Sequence, residues 1–332
     1  MNIIKDYPFS RFSTLKLKDE AAYYCELSNI SQIEDITAFA NKENLPIFFL
    51  GEGTNIVPSK YYKGLIIKNK LLGIQEKNNS IIEVASGENW HDFVKWSLMN
   101  NKFGLENLAL IPGTVGAGPV QNIGAYGSEI SNYVKQITAF NLKNNSIEIL
   151  DNNACEFGYR KSIFQKRSEL IILSVTFNLD NKPKINCSYD SLKDEMIKIG
   201  IQENEITPHD VFHMVSNIRN RVLPNHLELP NVGSFFKNSE FSKEEFKELN
   251  LSSEIPVFIE QNICKIPSAF LIERAGWKGF KKGAVGISDK HSLVLITYQE
   301  TTGSEVISFA NEIIEDVLNK TDIKLSIEPT VI

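Results

Sequence analysis

Two glycine-rich segments are the parts of this 332-residue sequence best suited to holding a ligand. The first, residues 50–57, reads LGEGTNIV and follows a short apolar run. Glycine tolerates positive φ, so successive backbone N–H groups in such a loop can converge on an anion. Thr54 and Asn55 would add side-chain donors. An ordinary turn after a strand has the same composition, so this segment alone leaves both interpretations open.

The second glycine-rich segment, residues 110–127, reads LIPGTVGAGPVQNIGAYG and holds five of the 19 glycines of the chain. Glycines this dense allow the backbone to approach the flat face of a ligand closely. Gln121 and Asn122 offer amide groups to a ring edge that is rich in donors and acceptors. A flexible linker would be polar between its glycines, whereas this run is apolar. The composition therefore favours a cradle for a cofactor.

Several familiar motifs are missing from the sequence. No GxGxxG follows a predicted strand and no GxxxxGK[ST] occurs, so neither a Rossmann dinucleotide site nor a P-loop is indicated. Residues 209–213 read HDVFH, which has the spacing of a metalloprotease helix. The second position holds Asp where the longer Glu would be needed as the base, and no third ligand is evident. We expect two surface histidines there and no metal site.

Helical and strand patterns alternate along the chain, which predicts a protein of mixed α and β structure. Apolar residues at helical spacing predict helices at 28–42, 89–99, from 207 onward, 268–275 and 306–318. Short apolar runs predict strands at 46–50, 65–67, 81–85, 134–142, 146–150, 170–179, 293–297 and 323–327. The last of these strands would deliver Glu328 to its end. A polar stretch before the helix at 207 places a domain boundary near residue 205.

Composition limits the classes of partner. With 35 basic and 41 acidic side chains the net charge is −6, which argues against a nucleic-acid partner. Four widely separated cysteines indicate neither a disulfide framework nor a zinc site. No run of 18 apolar residues and no apolar signal-peptide core occurs, so no membrane partner is expected. We expect a cytoplasmic protein that acts as a monomer.

Residues 110–127 resemble the signature of the UDP-N-acetylenolpyruvoylglucosamine reductases, which are flavoenzymes of bacterial cell-wall precursor synthesis. Three further segments resemble the same family in the same order: GYRKSIF at 158–164, GSFFKN at 233–238 and IEP at 327–329. The resemblance extends from FSRFST at 9–14 to Pro329 and so covers nearly the whole chain. Four separated motifs in register are far more specific than any one of them.

The resemblance implies an α+β fold in which two FAD-binding subdomains of the vanillyl-alcohol-oxidase type precede a C-terminal substrate-binding domain. The corresponding boundaries are 1–66, 67–205 and 206–332. It also implies FAD as cofactor, NADPH as co-substrate and a UDP-sugar as substrate. The implied reaction reduces the enolpyruvyl group of UDP-N-acetylglucosamine-enolpyruvate, which gives UDP-N-acetylmuramate.

The resemblance also implies roles for individual residues. Arg160 would bind the substrate carboxylate, Ser234 would deliver the final proton, and Glu328 would stabilise the intermediate as a neutral acid. The implied cofactor-binding residues are Gly51, Glu52, Gly53, Thr54, Asn55, Pro112, Gly113, Thr114, Gly116, Gln121, Asn122, Gly124, Ala125 and Tyr126. The implied substrate-binding residues are Tyr159, Tyr189, Lys237 and Asn238, of which Tyr189 matches a loop tyrosine of the longer subclass that folds over the nucleotide sugar.

One position departs from the family pattern. Members carry a lysine directly before the Leu-Pro at 223–224, where it meets the substrate diphosphate. Val222 stands at that place here, so Arg219 or Arg221 is the candidate source of the charge.

Two other functions fit parts of the sequence. One is an FAD-dependent oxidase or dehydrogenase of the same fold, which would not need the Ser234 and Glu328 pair. The other is a ligand-binding relative without redox chemistry, which would be colourless even when FAD is supplied.

Overall fold

The computed structural model describes residues 2–249, 251, 254–260, 262–298 and 300–332. The helices are α1 (Ile33–Lys42), α2 (Trp90–Met99), α3 (Asp190–Ile199), α4 (Pro208–Val222), α5 (Lys243–Glu248), α6 (Ser268–Arg274) and α7 (Gly303–Thr321). The strands of the first half are β1 (Ile4–Pro8), β2 (Glu20–Leu27), β3 (Ile47–Leu50), β4 (Ile56–Val57), β5 (Tyr62–Asn69), β6 (Ile74–Glu76), β7 (Ile81–Ala85), β8 (Gly124–Ala125), β9 (Ser128–Glu129), β10 (Val134–Asn141), β11 (Ser146–Asp151) and β12 (Leu170–Asn178). Those of the second half are β13 (Asn231–Ser234), β14 (Phe236–Lys237), β15 (Ser239–Ser242), β16 (Phe258–Glu260), β17 (Ile263–Ile266), β18 (Lys281–Lys282), β19 (Val285–Ile287), β20 (Val294–Thr297), β21 (Ser326–Ile327) and β22 (Thr330–Val331).

The chain divides into two compact units. Unit 1 comprises Met1–Lys5, Tyr23–Glu52 and Lys63–Arg219, and unit 2 comprises Asp6–Ala22, Gly53–Tyr62 and Asn220–Ile332. The three-domain boundaries at 66 and 205 stay a prediction. Within the described ranges, none of the helices combines the length and apolar character that crossing a bilayer requires.

Unit 1 contains two main β-sheets. In the sheet of order β1-β2-β5-β3, β3 runs parallel to β5, and Leu50 lies opposite Lys68. Helix α1 packs its buried residues Ile33 and Ile36 into an apolar cluster with Leu65, as the predicted helical spacing requires. The second sheet has the order β11-β10-β12-β7-β6 and is antiparallel throughout.

Helix α2 supports the second glycine-rich segment of unit 1. Its first turn is capped by Asn89, whose side-chain oxygen accepts the Asp92 N–H at 3.0 Å. Trp90 is fully buried, and its ring N–H donates to the Leu108 carbonyl at 2.8 Å. This confirms the predicted helix at 89–99, and the structure puts Trp90 in the core.

Unit 2 is organised around α7, the longest helix in the described part of the chain. Its inward side chains, among them Val306, Phe309 and Ile313, join an apolar cluster with strand residues of the unit. A capping box between Thr302 and Glu305 begins the helix. The strand expected at 323–327 is shorter than predicted, because β21 pairs with β14 and that partner is itself only two residues long.

Candidate active site

Within unit 1, the carboxylate of Glu52 joins the start of the first glycine-rich segment, residues 50–52, to the second segment. Its Oε1 accepts a hydrogen bond from the Asn89 amide at 2.9 Å, and its Oε2 accepts the Gly113 N–H at 3.2 Å. The resemblance puts Glu52 among the cofactor-binding residues. In the structure, both of its carboxylate oxygens accept hydrogen bonds from the protein itself. Its visible role is to hold the end of β3 against the 110–127 segment.

Gly51 and Thr114 lie at the closest approach of these two segments. A Cβ on Gly51 would lie 2.8 Å from Thr114 Oγ1 and 3.1 Å from the Ala117 Cβ, so only glycine fits there. Within the described part of the chain, the buried Thr114 hydroxyl has no hydrogen-bond partner. A buried polar group without a partner is costly, and one at a glycine-lined wall is typical of a ligand site. These residues fit the FAD that the resemblance implies.

The remainder of the first glycine loop, Gly53 to Asn55, belongs to unit 2. Gly53 has φ +70°, and a Cβ there would lie 2.1 Å from the Phe12 carbonyl oxygen. Its own carbonyl accepts the Thr14 N–H at 3.1 Å, while the Asn55 carbonyl accepts the Thr330 N–H at 3.0 Å. The predicted need for positive φ is thus confirmed at Gly53, whereas Gly51 is needed for close packing.

Asn122 is fully buried in a left-handed conformation, with φ +45°. Its amide nitrogen donates to Glu129 Oε2 at 2.8 Å and to the Gly158 carbonyl at 3.0 Å, and its oxygen accepts the Ser131 N–H at 3.1 Å. The amide is therefore engaged with the protein, and its contact with a ring edge stays a prediction. What the structure does assign to Asn122 is an anchor for the segment that leads into Arg160.

Arg160 is held by the backbone of the second glycine segment. Its Nη2 donates to the Gly124 carbonyl at 3.1 Å, and its guanidinium lies 5.3 Å from the centre of the Tyr159 ring. The residue itself has φ +50°, an uncommon conformation for a side chain of this size. Backbone strain of this kind accumulates at functional sites, and Arg160 is the cation that the resemblance predicts to bind the substrate carboxylate.

A cluster of two tyrosines and an arginine lies beside Arg160 in unit 1. The rings of Tyr126 and Tyr189 meet edge to face, with centres 5.5 Å apart. Burial lowers the pKa of Arg219, and the charge of Arg160 lowers it further. A hydrogen bond with Tyr126 acts in the opposite direction and raises this pKa. The buried Arg219 Nε has no hydrogen-bond partner among the residues that the structure describes. Two neighbouring guanidinium groups of this kind indicate a site for an anion.

The segments that contain Ser234 and Glu328 pair within unit 2, although they are far apart in the sequence. Phe236 of β14 lies opposite Ile327 of β21, and the Glu328 N–H donates to the Phe235 carbonyl at 2.9 Å. Ser234 ends β13 and Glu328 directly follows β21, so the backbone segments that carry the two candidate catalytic residues are neighbours. Arg160 belongs to unit 1, and its meeting with this pair at the substrate stays a prediction.

Lys237 and Asn238 follow Ser234 and are fixed by one buried serine. The Ser268 hydroxyl donates to the Lys237 carbonyl at 2.6 Å, and its N–H donates to Asn238 Oδ1 at 3.2 Å. Ser268 begins α6, so the start of that helix sets the position of both residues. Sequence reasoning did not find Ser268, because only the pairing in space connects it with the GSFFKN segment.

No metal centre competes with this interpretation. In the described part of the chain, no group of three or more His, Cys, Asp or Glu side chains could hold a metal ion.

Two family models match the sequence. A model of the FAD binding domain matches residues 21–148, and one of the C-terminal domain of UDP-N-acetylenolpyruvoylglucosamine reductase matches residues 224–332. The chain is 36% identical over 337 residues to the UDP-N-acetylenolpyruvoylglucosamine reductase of Burkholderia multivorans, covering 99% of this chain and 97% of that protein. It is 35% identical to the protein of that name from Paraburkholderia xenovorans, covering 97% and 96% of the two chains.

Solved structures agree on the fold. The crystal structure of UDP-N-acetylenolpyruvylglucosamine reductase from Thermus caldophilus matches with a TM-score of 0.67 at 18% identity, covering 99% of this chain and 98% of that one. The crystal structure of p-cresol methylhydroxylase with substrate bound matches with a TM-score of 0.52 at 11% identity, covering 96% and 83%. Together with the FAD-binding model, these matches confirm the predicted α+β flavin-binding fold with a C-terminal domain.

Proposed function

The chain belongs to the family of UDP-N-acetylenolpyruvoylglucosamine reductases, and we propose that it performs the family's reaction through Arg160, Ser234 and Glu328. It is an FAD-dependent oxidoreductase that uses NADPH to reduce enolpyruvyl-UDP-N-acetylglucosamine to UDP-N-acetylmuramate for peptidoglycan synthesis. Family membership excludes the two alternatives, a flavin oxidase for another substrate and a relative without redox chemistry. The observation that supports the residue assignment is the pairing of the segments next to Ser234 and Glu328, in which Phe236 lies opposite Ile327 and the Glu328 N–H donates to the Phe235 carbonyl. We place the enzyme in the cytoplasm as a monomer.

The two glycine segments are proposed to hold FAD. Bound FAD supplies the hydride carrier between NADPH and the enolpyruvyl double bond. The unpartnered Thr114 hydroxyl would donate to the cofactor, and Gly51 would allow the backbone to lie against it. Glu52 is proposed to act indirectly on FAD binding, because its hydrogen bonds with Asn89 and Gly113 keep the two segments together.

Arg160 is proposed to bind the carboxylate of the enolpyruvyl group. Addition of hydride to the terminal carbon places negative charge on the carbon that carries this carboxylate. A guanidinium stays cationic throughout and can present two parallel N–H groups to the two oxygens. Donors fixed before the reaction stabilise such charge most strongly, and the bond to the Gly124 carbonyl fixes Arg160 in this way.

Ser234 and Glu328 are proposed to complete the reduction. The Ser234 hydroxyl gives its proton to the carbanion, which is a far stronger base than an alkoxide, so the transfer runs downhill. Glu328 is proposed to be protonated when substrate is bound, because a carboxylate there would repel the dianionic intermediate. As a neutral acid it donates a hydrogen bond to the developing charge.

Arg219 is proposed to replace the missing lysine at position 222. Its guanidinium, whose buried Nε has no hydrogen-bond partner among the described residues, would provide positive charge for the diphosphate of the sugar nucleotide. Tyr189 would cover the nucleotide. The remaining proposed substrate contacts are Tyr159, Lys237 and Asn238.

Ser234→Ala separates the two half-reactions and tests this assignment. NADPH should still bleach the flavin in the variant, since that step needs no proton from Ser234, while reoxidation by the enolpyruvyl substrate should slow by about a thousandfold or more. Ser326→Ala, which alters an exposed serine on β21, serves as the matched control and should turn over normally. Normal turnover of Ser234→Ala would contradict the assignment.

A further inference from the structure

Asn107 is a buried side chain that no part of the proposed mechanism uses. Only 4% of its surface is exposed, and it lies in a single turn of 3₁₀ helix, Glu106–Leu108. Its amide nitrogen donates to two backbone carbonyls, those of Tyr126 and Asn186, each at 2.9 Å. One amide group thereby joins two segments that are distant in the sequence.

The first of these segments is a strained turn. Tyr126 and Gly127 connect β8 to β9 and have φ +47° and +76°, the pattern of a two-residue hairpin of type I′. A tyrosine in this conformation costs about 1 kcal/mol or more, because its Cβ approaches the carbonyl oxygen. The bonds from Asn107 to the Tyr126 carbonyl and from Asn186 to the Gly127 carbonyl (3.0 Å) hold the turn.

The second segment leads directly into α3. Asn186 accepts the Ser188 N–H at 3.2 Å and the Ser188 hydroxyl at 2.7 Å through its own side-chain oxygen. This turn places Tyr189, the residue before α3, edge to face against Tyr126. Tyr189 is 51% exposed, so packing alone does not fix its ring.

We propose that Asn107 is a positioning residue for the sugar nucleotide: its two hydrogen bonds, here called the clip, hold the 186–189 turn to the 126–127 turn and so present Tyr189, packed against the ring of Tyr126, to the substrate. The clip itself follows from the hydrogen bonds, whereas its effect on substrate rests on the proposed function of Tyr189. Loss of the clip lets Tyr189 leave Tyr126, and binding must then restore the arrangement at the expense of affinity. The chemical groups at the reacting carbon are untouched.

The test compares Asn107→Asp with a matched variant. Aspartate keeps the size of the side chain, but its carboxylate cannot donate to the two carbonyls. The KM for the enolpyruvyl sugar nucleotide should rise about tenfold, while kcat and the flavin content stay within about twofold. Asn152→Asp is the control, since the Asn152 amide donates in the same manner to the Ser131 and Val134 carbonyls. It should lose similar thermal stability and leave KM unchanged.

A double-mutant cycle with Tyr189→Ala separates the clip from a general loss of structure. If Asn107 acts through Tyr189, its KM effect disappears in the Tyr189→Ala background. If the two KM effects multiply, the proposal is overturned. Should Asn107→Asp not fold, Asn186→Ala removes the Gly127 bond from a partly exposed position and should raise KM by about threefold.

Hydrogen exchange without substrate tests the clip independently of the reaction. Amides of residues 186–189 should exchange about tenfold faster in Asn107→Asp than in the parent protein. Unchanged exchange would overturn the clip. Faster exchange with an unchanged KM would overturn its effect on substrate. A parent enzyme that fails to reduce the enolpyruvyl substrate would instead refute the proposed function and leave the exchange result standing.

Discussion

The buried Lys68 allows a quantitative test of how much a buried charge lowers the stability of unit 1. It lies on β5 opposite Leu50, at the end of β3 where the first glycine loop begins, and only 9% of its surface is exposed. Burial, reinforced by the charge of Lys70, lowers the pKa of Lys68 from 10.5 to about 8, although Glu52 and Glu26 oppose this. Replacement by methionine, which has a similar volume, removes the charge and keeps the packing.

The size of the effect follows from linkage. At about 1.4 kcal/mol per pKa unit, the charged lysine destabilises the folded state by about 3 kcal/mol near pH 7. Because the folded pKa lies below the unfolded one, the cost is complete below about pH 8 and disappears as the pH approaches 10.5. We expect Lys68→Met to be more stable than the parent protein near neutrality by up to about 3 kcal/mol, with a difference that shrinks between these two pH values.

The assay is urea unfolding of flavin-free protein at about pH 7, 9 and 10.5, so that the charges of FAD do not enter. The fluorescence of Trp90 and Trp96 reports on unit 1, to which both residues belong. Lys63→Met, an exposed lysine on the same strand, is the control and should show no such pH dependence. A Lys68→Met difference that is the same at all three pH values would refute the reasoning.

Three further predictions concern the site. Glu328→Gln should keep kcat within about tenfold of the parent value, while Glu328→Ala should lose about a hundredfold or more in kcat. An equal loss in both variants would show that Glu328 does not act as a neutral hydrogen-bond donor. Arg219→Met should raise the KM for the sugar nucleotide at least about tenfold, with partial recovery in Arg219→Lys, and an unchanged KM would remove Arg219 from the diphosphate site. Glu52→Ala should weaken FAD binding about tenfold, because the hydrogen bonds of Glu52 with Asn89 and Gly113 are lost. The measurement is the release of flavin fluorescence, and an unaltered affinity would show that the two glycine-rich segments stay together without Glu52.

Local sequence signals predicted the elements that carry strong periodicity. The helix at 306–318 has a continuous apolar stripe, and the structure confirms it as part of α7. Helix α3 was not predicted, because Leu192 and Met196 are its only buried apolar side chains. Strand β6 was also missed, since it shows only partly buried or exposed residues. It pairs with β7 across the turn at 78–79.

The parts of the candidate site that depend on local composition could be predicted from the sequence. The parts that depend on contacts between distant segments could not. Glycine density pointed to both loops, and the packing at Gly51 and the positive φ of Gly53 explain that density. The clip of Asn107 joins segments 79 residues apart, and the bond between Glu52 and Asn89 spans 37 residues. Spacing along the chain contains no sign of such pairs, because they exist only after folding.

The most direct test of the central claim follows the flavin absorbance of the purified protein through both half-reactions in the absence of oxygen. The account predicts that NADPH bleaches the flavin and that enolpyruvyl-UDP-N-acetylglucosamine then restores the absorbance while UDP-N-acetylmuramate forms in equal amount. Restoration only when oxygen is admitted, with no lactyl ether product, would contradict it.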